Sequence, residues 1–417
     1  MYPSSILLII LVAALTATNS FHFHTSEALL HPRAAAGADN HGAGGGACIP
    51  HEREALLAFK SGITYDPAGL LTSWEEGADH QQDCCHWIGI RCSNRTGHVL
   101  KLLLRNENDD EDFPGLVGQI SPSLIILKHL EHLDLSMNEL QGPTGRIPEF
   151  LGALTNLKYL DLSYINFVGS VPPQLGNLTK LQHPNVEQDG GLASPDISWL
   201  ARLRSLRRLD LHGVDLSSAA GKWPHVVNEM PSLRYLDLSD CHLANANQSL
   251  PNFNLTNLEW LDLSRNNFVH TFWNITRLKH LDVRESGLYG HFPVAMMASL
   301  QFLGSVRLAG CRCQRLQRQA LSIAIALQER PQRQRQPAVA REPNGLVVAN
   351  MRNLCDLEVL GLASCLLSAD VPNLFGILPH CSAGNKLQEL HLSVNNISGV
   401  MANWMGHLTS LDHSTPR

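Results

Sequence analysis

One column of side chains in this sequence has the chemistry to grip another molecule. His132, Tyr159, Arg208, Tyr235, Trp260, His280 and Glu389 each stand two residues after one leucine and directly before another. Aromatic rings, imidazoles and guanidinium groups are the side chains that dominate the energy of protein interfaces. A second column lies two residues further on: Asp134, Asp161, Asp210, Asp237, Asp262 and Asp282. Stacked carboxylates repel, so they raise one another's pKa or recruit cations; on a strand's polar side they read as a solvated ladder. The sequence offers no comparable setting for catalysis. It contains no Gly-x-Ser-x-Gly, no His-Glu-x-x-His and no phosphate loop. His51-Glu52 lacks the second histidine of a zinc-protease helix, and Cys311-Arg-Cys313 with Cys355, Cys365 and Cys381 fits no zinc-ligand spacing. These residues imply recognition, with no catalytic group, no metal and no cofactor.

Whatever positions the columns must repeat with them. The phrase Leu130-Glu-His-Leu133-Asp-Leu135-Ser-Met-Asn138 returns from Leu157, Leu206, Leu233, Leu258, Leu278 and Leu387. It is the pattern L-x-x-L-x-L-x-x-N/C-x-L of leucine-rich repeats. First leucines at 130, 157, 181, 206, 233, 258 and 278 lie 27, 24, 25, 27, 25 and 20 residues apart. Alternation of Leu133 and Leu135 with Asp134 predicts a short strand with one buried face. No copy can bury its apolar side alone, so strands of successive copies stack in parallel, about 4.8 Å apart, around a shared interior. The predicted fold is an α/β leucine-rich repeat solenoid, a right-handed superhelix with a parallel sheet on its concave face. Residues flanking the strand leucines point onto that face.

Two irregularities are expected. At the Asn position of the phrase stand Asn138, Asn266 and Asn395, but also Cys241, Cys365, Ile165, Val214 and Ser286. Ile and Val cannot satisfy the backbone at the bend, which predicts local looseness there. Pro184 takes a strand-leucine place and predicts an irregular copy.

Several copies close with Gly-x-apolar-Pro, as in Gly145-Arg-Ile147-Pro148, Gly169-Ser-Val171-Pro172 and Gly290-His-Phe292-Pro293. Glycine permits the turn off the strand, and proline presets an extended or 3₁₀-like return. This form resembles the plant-specific leucine-rich repeat of extracellular receptors. Residues 48–104 resemble the N-terminal cap of plant leucine-rich repeat receptors: Cys48, Glu54-Ala-Leu-Leu-Ala-Phe59-Lys, Trp74, then Cys84-Cys85-His-Trp87-Ile-Gly-Ile-Arg-Cys92. Four cysteines allow three pairings; the resemblance implies Cys48 with Cys84 and Cys85 with Cys92, a disulfide-bonded N-terminal cap. Ahead of it, residues 1–20 carry the apolar run Ile6–Leu15, too short to span a bilayer, and read as a signal peptide; residues 21–47 read as a low-complexity spacer. Sequons at Asn94, Asn177, Asn247, Asn254, Asn274 and Asn396 agree with a secretory route.

Repeats are expected over 105–303 and again over 351–417, where another copy begins and stops as if truncated. Between them, residues 304–350 carry many Arg and Gln and read as an irregular insertion. A net charge of -6 gives no bulk attraction to nucleic acid. No run of apolar residues is long enough for a membrane span. The resemblance implies the ectodomain of a plant receptor-like protein in defence or developmental signalling. It would bind a protein or peptide ligand, an elicitor or a co-receptor kinase at the cell surface or in the apoplast. The alternatives are a soluble polygalacturonase-inhibitor-like protein and a degenerate receptor fragment.

Overall fold

The computed structural model describes residues 47–74, 83–108, 115–188, 190–244, 255–268, 277–286, 304–307, 355–363, 368–370, 386–393 and 396–398. All belong to one compact unit, Gly46–Arg417. The signal peptide and nearly all of the spacer expected from the sequence lie outside the described residues.

Each leucine phrase folds into a three-residue strand, and the strands line up in chain order into one 12-stranded sheet. They are β1 (Ile90–Cys92), β2 (Val99–Leu103), β3 (His132–Asp134), β4 (Tyr159–Asp161), β5 (His183–Asn185) and β6 (Arg208–Asp210). There follow β7 (Tyr235–Asp237), β8 (Trp260–Asp262), β9 (His280–Asp282), β10 (Ser305–Arg307), β11 (Val359–Gly361) and β12 (Glu389–His391). Only β1 is antiparallel to its neighbour; from β2 onward the ladder is parallel. Register is set by the leucines, Leu209 against Leu236, Leu261 and Leu281 in turn. Those four are 0–3% exposed. A one-residue slip would turn each of them out to water, at about 2 kcal/mol apiece.

After the strand the chain bends through a left-handed residue: Met137 (φ 58), Tyr164 (φ 53), Asp240 (φ 54), Arg265 (φ 54), Glu285 (φ 51) or Gly213 (φ 72). That bend strips carbonyls of partners, and the next residue restores them. Asn138 Nδ2 donates to the carbonyls of Leu104, Leu135 and Ser136, and its Oδ1 accepts from Leu116 N–H. Asn266 repeats the arrangement with Leu238, Leu263, Ser264 and Leu243. Cys241 Sγ serves Leu211 and Ser239 in part, and Ser286 Oγ serves Val283. Ile165 and Val214 are fully buried. The looseness expected there is not seen: in the copy of Ile165, Gln188, one copy on, reaches back and donates to the Leu162 carbonyl, and in the copy of Val214 the Leu211 carbonyl is met by Cys241.

The return path is a row of 3₁₀ turns, Pro122–Ile126, Glu149–Ala153, Pro173–Asn177 and Ser198–Arg202. Gly176 sits where a Cβ would lie 2.8 Å from the Trp199 carbonyl oxygen of the next copy, so the copies close up only on glycine. The Gly-x-apolar-Pro segments add short outer strands, such as Gly169–Ser170 beside Leu192–Ala193.

Two further expectations are adjusted. Pro184 does not break its copy: β5 pairs with β4 at His183, Pro184 and Asn185. Lacking an N–H, however, it gives nothing to β6, and that pairing shrinks to Asn185 against Asp210. The next bond on that side, Val186 N–H to Asp210 O, is stretched to 3.4 Å. Ser305–Arg307, placed by sequence in the irregular insertion, is instead a ladder strand joining β9 to β11. Residues 308–350 of the insertion lie outside the described residues.

The first coil is closed by helix α1, Pro50–Lys60, whose Ala55, Leu56 and Phe59 are buried. Glu52, 1% exposed, accepts from Val99 N–H and pairs with His98 Nδ1, joining the helix to β2. Disulfides Cys48–Cys84 and Cys85–Cys92 form as the resemblance implied. Among the described residues, no helix is long and apolar enough to cross a membrane.

Candidate functional site: the concave ribbon

The first column expected from sequence is assembled as one ribbon on the concave sheet. Parallel register sets His132 against Tyr159, Tyr159 against His183, Arg208 against Tyr235, Tyr235 against Trp260, and Trp260 against His280. The rings stack along the ladder. His132 and Tyr159 lie 3.9 Å apart at 11°, Tyr235 and Trp260 5.2 Å apart at 18°, Trp260 and His280 3.4 Å apart at 6°. The Arg208 guanidinium covers Tyr235 at 3.5 Å. Such contacts add about 0.5–1.5 kcal/mol each beyond area burial. Five of the named residues are half-buried; His280, at 6% exposed, is buried beneath Trp260 and its neighbours, a correction to its expected role as a surface contact. Glu389 closes the column in β12 and is exposed.

The ribbon also contains residues that the leucine phrase did not expose. His183 belongs to the copy disguised by Pro184. Lys101 in β2 extends it beyond His132, and Ser305 in β10 continues it from His280 toward β11 and β12. Only the ladder register could have placed all three.

The aspartate column departs from expectation. Asp161, Asp210, Asp262 and Asp282 are 4, 2, 2 and 0% exposed, not a solvated ladder. Two effects bury them. The ribbon side chains lie over them, and a residue two positions on donates its backbone N–H to each inner oxygen. Ser136, Ser163, Ser239 and Ser264 do so to Asp134, Asp161, Asp237 and Asp262. The outer oxygens take ribbon donors: Tyr159 to Asp161 at 3.0 Å, Tyr235 to Asp237 at 3.3 Å, Arg208 to Asp210 at 2.8 Å. Arg284 holds Asp282 at 2.8 Å and Arg307 approaches it at 3.9 Å. Burial first, and then the neighbouring aspartates, pushes Asp161, Asp210 and Asp262 above the usual carboxylate range. Burial likewise raises Glu187, which accepts from the Tyr164 hydroxyl.

Outside the ribbon runs a rim of exposed pairs, Lys158–Glu131 at 2.8 Å and Arg234–Glu259–Lys279 at 3.1 and 2.7 Å. Within it, two donors have no acceptor among the described residues, Trp260 Nε1 and Ser305 Oγ. An unmet buried donor costs about 1–3 kcal/mol. Asn94 and Asn177 are exposed and lie away from the ribbon, in the cap and on a 3₁₀ turn; Asn247, Asn254 and Asn274 lie outside the described residues, and Asn396 is in the strand Asn396–Ser398.

A bent parallel sheet lined by rings, closed by a disulfide-bonded cap, defines the class: a leucine-rich repeat protein with a disulfide-bonded N-terminal cap. Known proteins agree with it. The leucine rich repeat N-terminal domain matches residues 49–93, and leucine rich repeats match 129–154, 156–178, 229–246, 257–276 and 386–408. Receptor-like protein EIX1 of Solanum lycopersicum is 39% identical over 230 residues, covering 53% of this chain and 22% of that protein. Receptor-like protein EIX2 of the same plant is 32% identical over 258 residues, covering 60% and 24%. The chain thus spans about a quarter of the length of the curated relatives it matches. The fold is shared with the ectodomain of the Arabidopsis receptor kinase HAESA, in complex with an IDA peptide hormone (TM-score 0.54, 20% identity, 83% of this chain and 53% of that one). It is shared too with the plant peptide hormone receptor RGFR1 in complex with RGF2 (TM-score 0.52, 22% identity, 78% and 48%).

Proposed function

We propose that this chain is the ligand-recognition part of a plant receptor-like ectodomain, reached through the secretory pathway and facing the outside of the cell. Its concave ribbon takes a protein or peptide ligand, and signalling passes to a partner kinase. The single observation that supports this most is the stacked ribbon itself. Side chains from consecutive copies hold one another in fixed rotamers, so little freedom remains to be lost when a partner binds. Similarity to the receptor-like proteins EIX1 and EIX2 supports the same reading.

The test is affinity purification from plant membranes with the tagged full chain, beside a Tyr235→Ala/Trp260→Ala chain of matched melting temperature. A receptor kinase should be recovered with the unaltered chain and be about tenfold or more depleted with the variant, the size of effect expected from two central aromatic anchors. Equal recovery overturns the assignment of the ribbon as the binding face.

A further inference from the structure

Two histidines far apart in the chain meet where the cap joins the first leucine phrase. His98 stands one residue before Val99, the start of β2, and His129 one residue before Leu130. β2 pairs with β3 at Lys101 and His132, and the same register carried back three residues sets His98 against His129. Their rings stack, with centroids 3.8 Å apart at 27°. Both lie at the edge where the chain enters the sheet, outside the ribbon.

His98 is held in one tautomer. Its Nδ1 lies 2.8 Å from Glu52 Oε1, and the other oxygen of Glu52 accepts from Val99 N–H at 2.7 Å. An ionised carboxylate only accepts, so Nδ1 carries a proton and Nε2 of the neutral ring keeps its lone pair. Carboxylates orient metal-binding histidines in this way. Glu52 is 1% exposed, and among the described residues its one partner able to bear positive charge is His98. A buried charge is costly until it is countered, and a cation on Nε2 counters it through the ring.

His129 offers the second lone pair. It is exposed, and among the described residues no hydrogen bond or ion pair holds its ring, which is free to turn toward a shared ion. Imidazole nitrogens sit about 2.0–2.1 Å from zinc, so one ion joins nitrogens up to about 4 Å apart. The other close grouping of ligand atoms, Cys48, Cys84 and Cys85, is spent in disulfides.

We propose that His98 and His129 form a surface site for a divalent transition ion, copper(II) best and zinc more weakly, with water in the remaining positions. The ligand atoms set that order, because imidazole favours these ions and oxygen ligands are what magnesium and calcium need. The bound ion staples the cap to the first copy.

The test is calorimetric titration of the full chain with copper(II), in a non-coordinating buffer near neutral pH, with magnesium as control. His129→Gln and His225→Gln chains are titrated in parallel, each checked for an unchanged melting curve without metal; His225 is an exposed histidine of the helix Trp223–Asn228. The remaining histidines are common to both variants, so the site is read from the difference. In His129→Gln the tightest site should weaken about tenfold or more, no less than the loss on removing an orienting partner. His225→Gln should match the unaltered chain. Copper should also raise the melting temperature of the unaltered chain more than that of His129→Gln. With no substitution at all, equimolar copper should slow acylation of His129 by diethyl pyrocarbonate, read in peptide masses, and leave His225 unprotected. Equal affinity in His129→Gln and the unaltered chain, equal melting shifts, unprotected His129, or no copper binding by the unaltered chain overturns the proposal.

Discussion

Asn266 shows how much one side chain can carry in this fold. It meets three carbonyls and one N–H at a bend that leaves them no backbone partner. Asn266→Leu keeps the volume and removes all four bonds. Destabilisation of about 3 kcal/mol or more is expected, read as a shift in urea midpoint at constant slope. Gln188→Leu should cost less, about 1–2 kcal/mol, because it removes the single bond to the Leu162 carbonyl. Asn266 is legible in sequence as part of the phrase. Gln188 is not, since it stands one place before the Asn position and works for the preceding copy.

The strand and cap elements yield two predictions. Asp161, Asp210 and Asp262 have raised native pKa values, so the folded chain holds protons that the unfolded chain releases near pH 4. Their contribution to stability is complete below that point and is lost as pH rises through the native values. The melting temperature should therefore be higher at pH 5 than at pH 8. Asp262→Asn should flatten the dependence and raise the melting temperature at pH 8; an unchanged profile would show the ladder to be electrostatically idle. In the cap, Cys48–Cys84 closes 36 residues and Cys85–Cys92 closes 7. Loop entropy puts the first near 4 kcal/mol and the second near 2 kcal/mol. Replacing Cys48 and Cys84 with serine should lower the urea midpoint more than replacing Cys85 and Cys92. The strands themselves were readable because leucine spacing and sheet pleat share one period. The burial of the aspartates was not: alternation says which way a side chain points, and nothing about a serine amide and a tyrosine ring covering it from two sides.

For the molecule as a whole, the sequence disclosed the coil, its cap and most of the ribbon, yet missed what depends on register across copies. His183 was hidden because Pro184 hid the phrase around it, and Ser305 because it lies beside an Arg-rich stretch with no leucine pattern. The proposed secretory route carries its own prediction. Expressed in plant cells, the chain should carry glycans at the exposed Asn94 and Asn177, seen as asparagine-to-aspartate conversion in peptide masses after enzymatic deglycosylation. Unmodified peptides at both positions would argue against passage through the secretory pathway. The proline at 184 has a mechanical consequence. In an array whose coils touch only their neighbours, tension runs through every junction in series, so the poorest junction yields first. Pulled from its two ends, the chain should rip between the fifth and sixth rungs, leaving an N-terminal piece that keeps its cap. Even at rest, the amide of Val186 should take up deuterium sooner than that of Leu211, which occupies the same place one rung along, in a better-knit seam.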